Sequence, residues 1–215
     1  MDKKQINDKA DQNRKEFLIH MYDQMFNDIN RHILVVWQSI GVVIGAFALI
    51  GLAERAILPL DVVVGLIALI GLWLLAHLED AGYWYNRNLA IIANIERQFL
   101  EKADLKNIHY YFGKHRKKNV MLTHLKIQYF FGIGVILLIL LYHFLTRVVQ
   151  GLGAPWANFE PVRCLPYFIV IVGAIVVLRL HRKMKKKYAE LIQNSPGIDV
   201  DTVGIVYGVG HPIDR

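Results

Sequence analysis

The sequence predicts an all-α membrane protein with four transmembrane helices, long cytoplasmic helical extensions and a short β-prone C-terminal tail. Each of four apolar stretches is close to the ~20 residues that cross a hydrocarbon core of ~30 Å. They are Ile33–Ala53, Ile57–Ala76, Tyr129–Leu145 and Leu165–Leu180. With four spans, all but three of the 25 Lys and Arg residues fall on one side of the bilayer. This asymmetry predicts that both termini are cytoplasmic.

Composition excludes a soluble fold and limits covalent cross-linking. The 215 residues are 54% hydrophobic and 20% charged, which is typical of a membrane body with charged extensions. Cys164 is the single cysteine, so no internal disulfide or cysteine-rich metal site is expected. Residues 1–32 are polar and no small-residue cleavage pattern follows Ile33–Ala53. We therefore expect this first span to stay in the mature protein.

Two helices are expected to extend beyond the bilayer. Residues 8–32 form a cytoplasmic amphipathic helix whose apolar side chains recur every three or four positions: Phe17, Leu18, Met21, Met25 and Ile29. After a turn containing Pro59, a second helix is predicted from Leu60 to Asp104, with Ala81, Tyr85, Ile92, Ile95 and Phe99 on one stripe. We predict an antiparallel pair in which the two stripes bury each other.

The chain divides into five segments. Residues 1–32 form the first extension, 33–76 a transmembrane hairpin, 77–127 a helical extension with a basic connector, 128–180 a second hairpin, and 181–215 a basic stop and tail. Residues 194–215 alternate Val and Ile with glycines, which favours a short strand or hairpin over a helix.

Glycines in the first two spans are candidate helix-packing positions. Gly41 and Gly45 form a GxxxG pair in the first span, and Gly65 and Gly71 lie in the second. Small residues let helix backbones approach closely in a membrane, either within one chain or between subunits. The sequence leaves both alternatives open.

Few polar residues fall inside or at the edge of the first two spans. Gln38 and Ser39 are candidates to line a pore. His77, Glu79 and Asp80 are candidates for a cation or proton site at its inner mouth, because acids at this depth can mark ion paths. The alternative is a solvated helix boundary in which Glu79 or Asp80 pairs with Arg87. No charged residue is expected at a bilayer midplane, which argues against a proton-coupled pump.

Two surface sets are candidates for contacts outside the bilayer. The first is an aromatic and amide-rich patch expected to form polar networks between helices or to contact a cytoplasmic partner: Tyr83, Trp84, Tyr85, Asn86, Arg87 and Asn88. The second is basic and is assigned to anionic lipids in preference to nucleic acid: Lys114, Arg116, Lys117, Lys118, Arg182, Lys183, Lys185, Lys186 and Lys187.

No motif predicts catalysis. The chain has no HExxH, nucleophile elbow, P-loop or dinucleotide fingerprint, and we expect a non-enzymatic protein without a metal or cofactor. Bis-histidine haem held by His32 and His77 is a minor alternative, because the two residues are expected at similar depth on adjacent helices.

Three stretches resemble an uncharacterised bacterial membrane family that is similar to the RipA-type octameric inner-membrane proteins. They are HLEDAGYWYNRNLAIIANIERQFL (77–100), IHYYFGKHR (108–116) and NSPGIDVDTVGIVYGVGH (194–211). The resemblance implies a ring-like homo-oligomer in the cytoplasmic membrane, tied to envelope or niche adaptation. The helical extensions are also similar in architecture to SLATT-type effectors, which have two spans where four are predicted here.

The preferred functional hypothesis is a homo-oligomeric ring in the bacterial inner membrane that forms a channel, a pore or a membrane enclosure. The expected partners are the bilayer, further copies of the chain (an octamer by the resemblance) and anionic lipids. Alternatives are a membrane-anchored scaffold or sensor, or a nucleotide-triggered anti-phage effector, binding a cytoplasmic protein or ligand. The minor alternative is a b-type cytochrome.

Overall fold

The computed structural model describes residues 3–100, 118–153, 155 and 158–194, and within these ranges its regular structure is entirely helical. The α-helices are α1 (Lys3–Ala46), α2 (Ala48–Glu54), α3 (Leu60–Phe99), α4 (Thr123–His143) and α5 (Leu165–Asn194). A π-helical turn follows at Phe144–Val148, with 3-10 turns at Val149–Gly151 and Pro161–Cys164. The predicted all-α class is confirmed.

In the part of the chain described, four helical segments are long and apolar enough to cross a membrane: Lys4–Glu54, Leu60–Glu96, Thr123–Gly151 and Pro161–Asn194. This agrees with the four predicted spans. Most of the basic connector and the β-prone tail lie outside the described residues, at 101–117 and 195–215.

The predicted first span, Ile33–Ala53, is divided between two helices. α1 stops at Ala46, and α2 resumes after Phe47. α2 then closes with two hydrogen bonds, Ala56 N to Ala53 O and Ile57 N to Leu52 O, both 3.0 Å. This is a Schellman motif, and Ala56 adopts the left-handed φ of 55° that the motif requires.

α3 begins directly after Pro59, as predicted, and runs for 40 residues. At 1.5 Å per residue its length is ~60 Å, about twice a hydrocarbon core. The described residues form two compact units: those of unit 1 fall within 1–33, 83–120 and 185–215, and those of unit 2 within 34–82 and 121–184.

The core of unit 2 is built on α3. Val63, Val64 and Ile67 are fully buried and pack with Ala46 and Ile139. A second cluster joins three helices through apolar side chains: Leu72, Leu75, Ile136 and Val177. The outer faces of α1, α4 and α5 expose large apolar residues, including Leu34, Leu138 and Val176. Such faces are typical of helices that contact lipid.

Unit 1 contains the predicted antiparallel packing of α1 against α3. Tyr22 Oη donates to Glu96 Oε1 at 3.1 Å, and Arg14 Nη2 donates to Gln98 Oε1 at 3.1 Å. His32, further along α1, stacks near Trp84, with ring centroids 6.1 Å apart. The stripe prediction is correct except at its start, since Phe17 is 67% exposed while the remaining stripe residues of α1 are half-buried or buried.

Candidate functional site

The most buried polar cluster of unit 2 is centred on Asp61 and His143, whose side chains are 1% and 0% exposed. His143 Nε2 lies 2.8 Å from Asp61 Oδ1, and its Nδ1 lies 3.0 Å from Tyr167 Oη. A carboxylate only accepts hydrogen bonds, so Nε2 carries a proton. In the neutral tautomer Nδ1 then accepts a hydrogen bond from the Tyr167 hydroxyl.

Arg147 and Arg163 extend this cluster to a second carboxylate. Arg147 donates to Asp61 through Nε (3.3 Å) and Nη2 (3.0 Å), and Nη2 also donates to Glu160 Oε2 at 2.9 Å. Arg163 Nε donates to the same Glu160 oxygen at 3.0 Å, and its Nη1 donates to the carbonyl of Arg147 at 3.1 Å. Two guanidinium and two carboxylate charges cancel within this network, named here the Asp61 network.

Local structure explains the position of each member. Asp61 lies in the first turn of α3, where a negative charge is favoured by the helix dipole. His143 is the last residue of α4, and Arg147 lies in the π-helical turn that follows. π-Helical turns are rare and frequently occur at functional sites. Glu160 immediately precedes the short 3-10 turn that leads into α5, and Arg163 lies within that turn.

A cavity of about 700 Å³ adjoins the Asp61 network. Arg147, Glu160, Arg163 and Tyr167 contribute its polar wall, and its apolar wall includes Phe144, Val148, Leu152 and Phe159. The cavity therefore combines fixed charges of both signs with a surface for hydrocarbon.

The Asp61 network contains two of the basic residues that depart from the charge asymmetry of the sequence. Arg147 and Arg163 are two of the three basic residues predicted on the side opposite the termini. Both form ion pairs with acids of unit 2.

The predicted polar pair of the first span separates into one exposed and one buried residue. Ser39 is 3% exposed, and its hydroxyl donates to Val35 O at 2.9 Å. Gln38 is exposed on the surface of α1. Ser39 is thus turned into unit 2 and cannot line a pore between subunits, whereas Gln38 can.

The glycines predicted for helix packing also fall into two groups. Gly65 and Gly71 face other helices, because an added Cβ would lie 3.0 Å from Ile169 Cδ1 and 2.7 Å from Ile136 Cγ1. Gly41 and Gly45 are exposed, and an added Cβ at either would meet no other helix of the described structure within 4 Å. The second-span glycines therefore pack within the chain, while the first-span pair lies open.

Near the end of the α3 portion that belongs to unit 2, the Glu79 side chain contacts His181. The Glu79 side chain is 8% exposed and its Oε2 lies 2.9 Å from His181 Nδ1. The sequence suggested Arg87 as a partner and did not anticipate His181. His77 stacks on Trp73 at 5.9 Å, and Asp80 is half-buried.

The aromatic and amide patch lies largely inside unit 1. Asn86 and Asn88 are fully buried, and Tyr83 and Tyr85 are almost fully buried. The Asn86 Nδ2 donates to Asn119 Oδ1 at 2.8 Å and to Val120 O at 3.0 Å. Arg87 lies 5.1 Å from the centroid of the Trp84 ring. Of the two predicted roles, these contacts favour an internal network over a surface for a partner.

Among the predicted lipid-binding residues, Lys114, Arg116 and Lys117 lie outside the described residues. The others are exposed: Lys118, Arg182, Lys183, Lys185, Lys186 and Lys187. On α5, Met184, Tyr188 and Ile192 are buried at spacings of four, so this helix end is amphipathic with a basic outer face.

The histidines considered for haem lie in different units, His32 in unit 1 and His77 in unit 2. Within the described ranges, no group of three or more His, Cys, Asp or Glu side chains is placed to hold a metal ion.

Sequence reasoning missed the Asp61 network because its members are distant in sequence. Asp61 and His143 are 82 positions apart. The available signal was an acid in the first turn of one apolar helix and a histidine at the end of another. These positions meet if antiparallel helices bring the two ends together.

Comparison of the chain with protein-family models, with curated proteins and with solved structures found no match.

Proposed function

We propose that this chain is a non-enzymatic, multi-pass protein of the bacterial inner membrane that assembles into a homo-oligomeric ring. In this proposal both termini are cytoplasmic and the ring encloses a channel, a pore or a patch of membrane. The observation that carries the proposal is the open face of α1, defined by Gln38, Gly41 and Gly45, all of which are exposed. These residues recur at spacings of three and four, so they share one side of the helix.

The open face of α1 combines two features that favour helix association in lipid. Gly41 and Gly45 leave space for another backbone, since among residues 3–100, 118–153, 155 and 158–194 nothing beyond the adjoining turns of α1 lies within 4 Å of an added Cβ. Gln38 presents a polar amide in a span of otherwise apolar surface, and such a group is costly in hydrocarbon without a partner. A hydrogen bond between helices in a membrane contributes about 0.6–2 kcal/mol.

A ring requires that each copy contacts two neighbours through different surfaces. The exposed region of α1 is wide enough for this, because Trp37 and Val42, on either side of the open face, are 60% and 51% exposed. Neighbouring α1 helices around an axis would contact each other through these two flanks and through the space that Gly41 and Gly45 leave beside them. Gln38 would then face the axis as the polar lining residue.

The first experiment measures the mass of the purified protein in nanodiscs by mass photometry. Gly41→Leu combined with Gly45→Leu is expected to reduce the oligomer to monomers, because the new side chains would occupy the contact surface. The variant should keep its fold, since no described residue outside the adjoining turns of α1 comes within 4 Å of a Cβ added at either position. The matched control is Gly134→Leu, at another exposed glycine with no neighbour within 4 Å, on α4.

A monomeric wild-type protein would contradict the ring and move the assignment to the scaffold or sensor. Loss of assembly in Gly134→Leu would contradict the specific role of α1. If the ring forms, liposome flux tests the channel: Gln38→Leu should reduce ion flux at unchanged mass. If liposomes containing the wild-type protein show the same ion flux as empty liposomes, the channel and the pore are contradicted, and the ring that encloses a patch of membrane remains.

A further inference from the structure

The cavity beside the Asp61 network retains hydrogen-bonding groups that the network does not use. Arg163 uses Nε and Nη1 for Glu160 and the carbonyl of Arg147. Its Nη2 has no hydrogen-bond partner within the described part of the chain. Glu160 accepts both guanidinium hydrogen bonds on Oε2, so in the same residues its Oε1 is also without a partner. The Nη2 donor of Arg163 and the Oε1 acceptor of Glu160 are therefore available on the cavity wall.

These groups are positioned by the fold and still accessible. The Arg163 side chain is 24% exposed and that of Glu160 is 49% exposed. The bonds to Glu160 and to the backbone hold the Arg163 guanidinium in place, which lowers the entropy lost when it binds a further group. Asn158 and Gln150 add amide groups to the same wall.

Charge balance limits the ligand that fits. Arg147 and Arg163 are already matched by Asp61 and Glu160. An added anion alone would leave a net negative charge, and an added cation a net positive one. A ligand that carries both charges would keep the site neutral, with its anion at Arg163 and its cation at Glu160 Oε1.

The apolar wall and the location of the cavity add a second requirement. Leu152 and Phe159 are 74% and 54% exposed, and both line the cavity with Phe144 and Val148. The cavity lies at the ends of α4 and α5, both within segments long and apolar enough to cross a membrane. Hydrocarbon attached to the charged group would therefore find an apolar surface at the level of the lipid headgroups.

We propose that this cavity binds the headgroup of a zwitterionic phospholipid, with the phosphate on Arg163, the ammonium on Glu160 and the first carbons of an acyl chain on the apolar wall. The site is separate from the open face of α1, so it does not depend on the proposed ring.

Native mass spectrometry of the full chain in detergent tests this assignment, with dioleoyl phosphatidylethanolamine and dioleoyl phosphatidylglycerol as probes. The two lipids share their chains and phosphate, and only the first carries an ammonium group. Phosphatidylethanolamine should bind more tightly, by about tenfold or more, since hydrogen bonds to charged groups contribute about 1.5–3 kcal/mol. Free phosphoethanolamine is the soluble comparison.

Two substitutions test the phosphate contact and the ammonium contact separately. Arg163→Gln should weaken binding of both lipids by about tenfold or more, because it removes the cation that holds the phosphate. Glu160→Gln should remove the preference for phosphatidylethanolamine while phosphate binding persists. Glu160 is half-exposed, so this second variant remains informative if Arg163→Gln fails to fold. Arg55→Gln, at an exposed arginine outside the cavity, is the matched control.

Equal binding of the two lipids to the wild-type protein would overturn the proposal, as would an unchanged preference in Glu160→Gln. Competition by free phosphoethanolamine at the same concentration would also overturn it, because the ligand would then be a soluble zwitterion. Equal losses in Arg55→Gln and Arg163→Gln would show general charge attraction in place of a site.

Discussion

Unit 2 contains two histidine–carboxylate pairs of nearly equal length in very different surroundings. Asp61 and His143 are 2.8 Å apart and at most 1% exposed. Glu79 and His181 are 2.9 Å apart, but the His181 side chain is 40% exposed. The first pair has further partners in Arg147 and Tyr167. The difference shows that distance alone does not measure how much a polar pair contributes to a fold.

The physical reason is the solvent that replaces a lost partner. Removing one member of a buried pair leaves a charge or polar group that water does not reach, which costs about 3–5 kcal/mol. Removing a partner from a half-exposed pair allows water to take its place, and such pairs contribute about 1 kcal/mol or less. Three substitutions test this contrast.

The largest effect is expected for Asp61→Ala. It removes the acceptor for Arg147 and for the fully buried His143, and should lower the free energy of unfolding by about 3–5 kcal/mol. Equilibrium unfolding in mixed micelles, followed by circular dichroism, measures the change. The control is Glu54→Ala, at an exposed acid that ends α2, and it should change stability little. A similar loss in both variants would remove the distinction between the two environments.

A smaller effect is expected for His181→Ala. Water can reach the Glu79 carboxylate once the half-exposed imidazole is absent, so the loss should be about 1 kcal/mol or less in the same unfolding experiment. The comparison partner is His143→Ala, which should cost several times more. If the two histidine variants are equally stable, burial does not control the contribution of these pairs.

The smallest effect is expected at the rim of the cavity, for Glu160→Gln, and it should depend on pH. The hydrogen bond from Arg163 is the main cause that holds the pKa of Glu160 below its ordinary value of 4.5. A lowered pKa in the folded state stabilises the protein above the ordinary value, and this contribution is lost as the pH falls through the folded value. The variant should therefore melt below the wild-type protein at pH 7, with the difference closing as the pH falls below 4.5 and through the lowered folded value. A difference that grows on acidification would contradict the ion pair.

The helices could be predicted from the sequence more fully than the polar contacts. The length of each apolar stretch predicts a span, and Pro59 predicts the start of α3. Both signals can be read from neighbouring residues because they are local in the sequence. The pairing of Asp61 with His143 depends on how helix ends meet, which no local pattern encodes. The break at Phe47 was missed for a different reason: residues 44–50 contain no proline, and only one glycine, to signal it.

The same reasoning explains the open and closed glycines. Gly41 and Gly71 both looked like packing positions, since sequence reports the absence of a side chain and not what lies opposite. In the structure Ile136 lies against Gly71, and no atom lies near Gly41. A pattern can therefore identify where a helix is able to make close contact, while the partner depends on the tertiary arrangement.

The turn that leads into α5 ends at Cys164, and this residue makes a labelling experiment possible. It is the only cysteine in the sequence, its thiol is free and exposed, and it lies on the cavity wall. A single maleimide can therefore be attached to the unaltered chain. The predicted orientation places this thiol on the periplasmic side, so a membrane-impermeant maleimide should label it in cells whose outer membrane alone has been permeabilised. The natural sequence thus contains a reporter for the sidedness of its own helices.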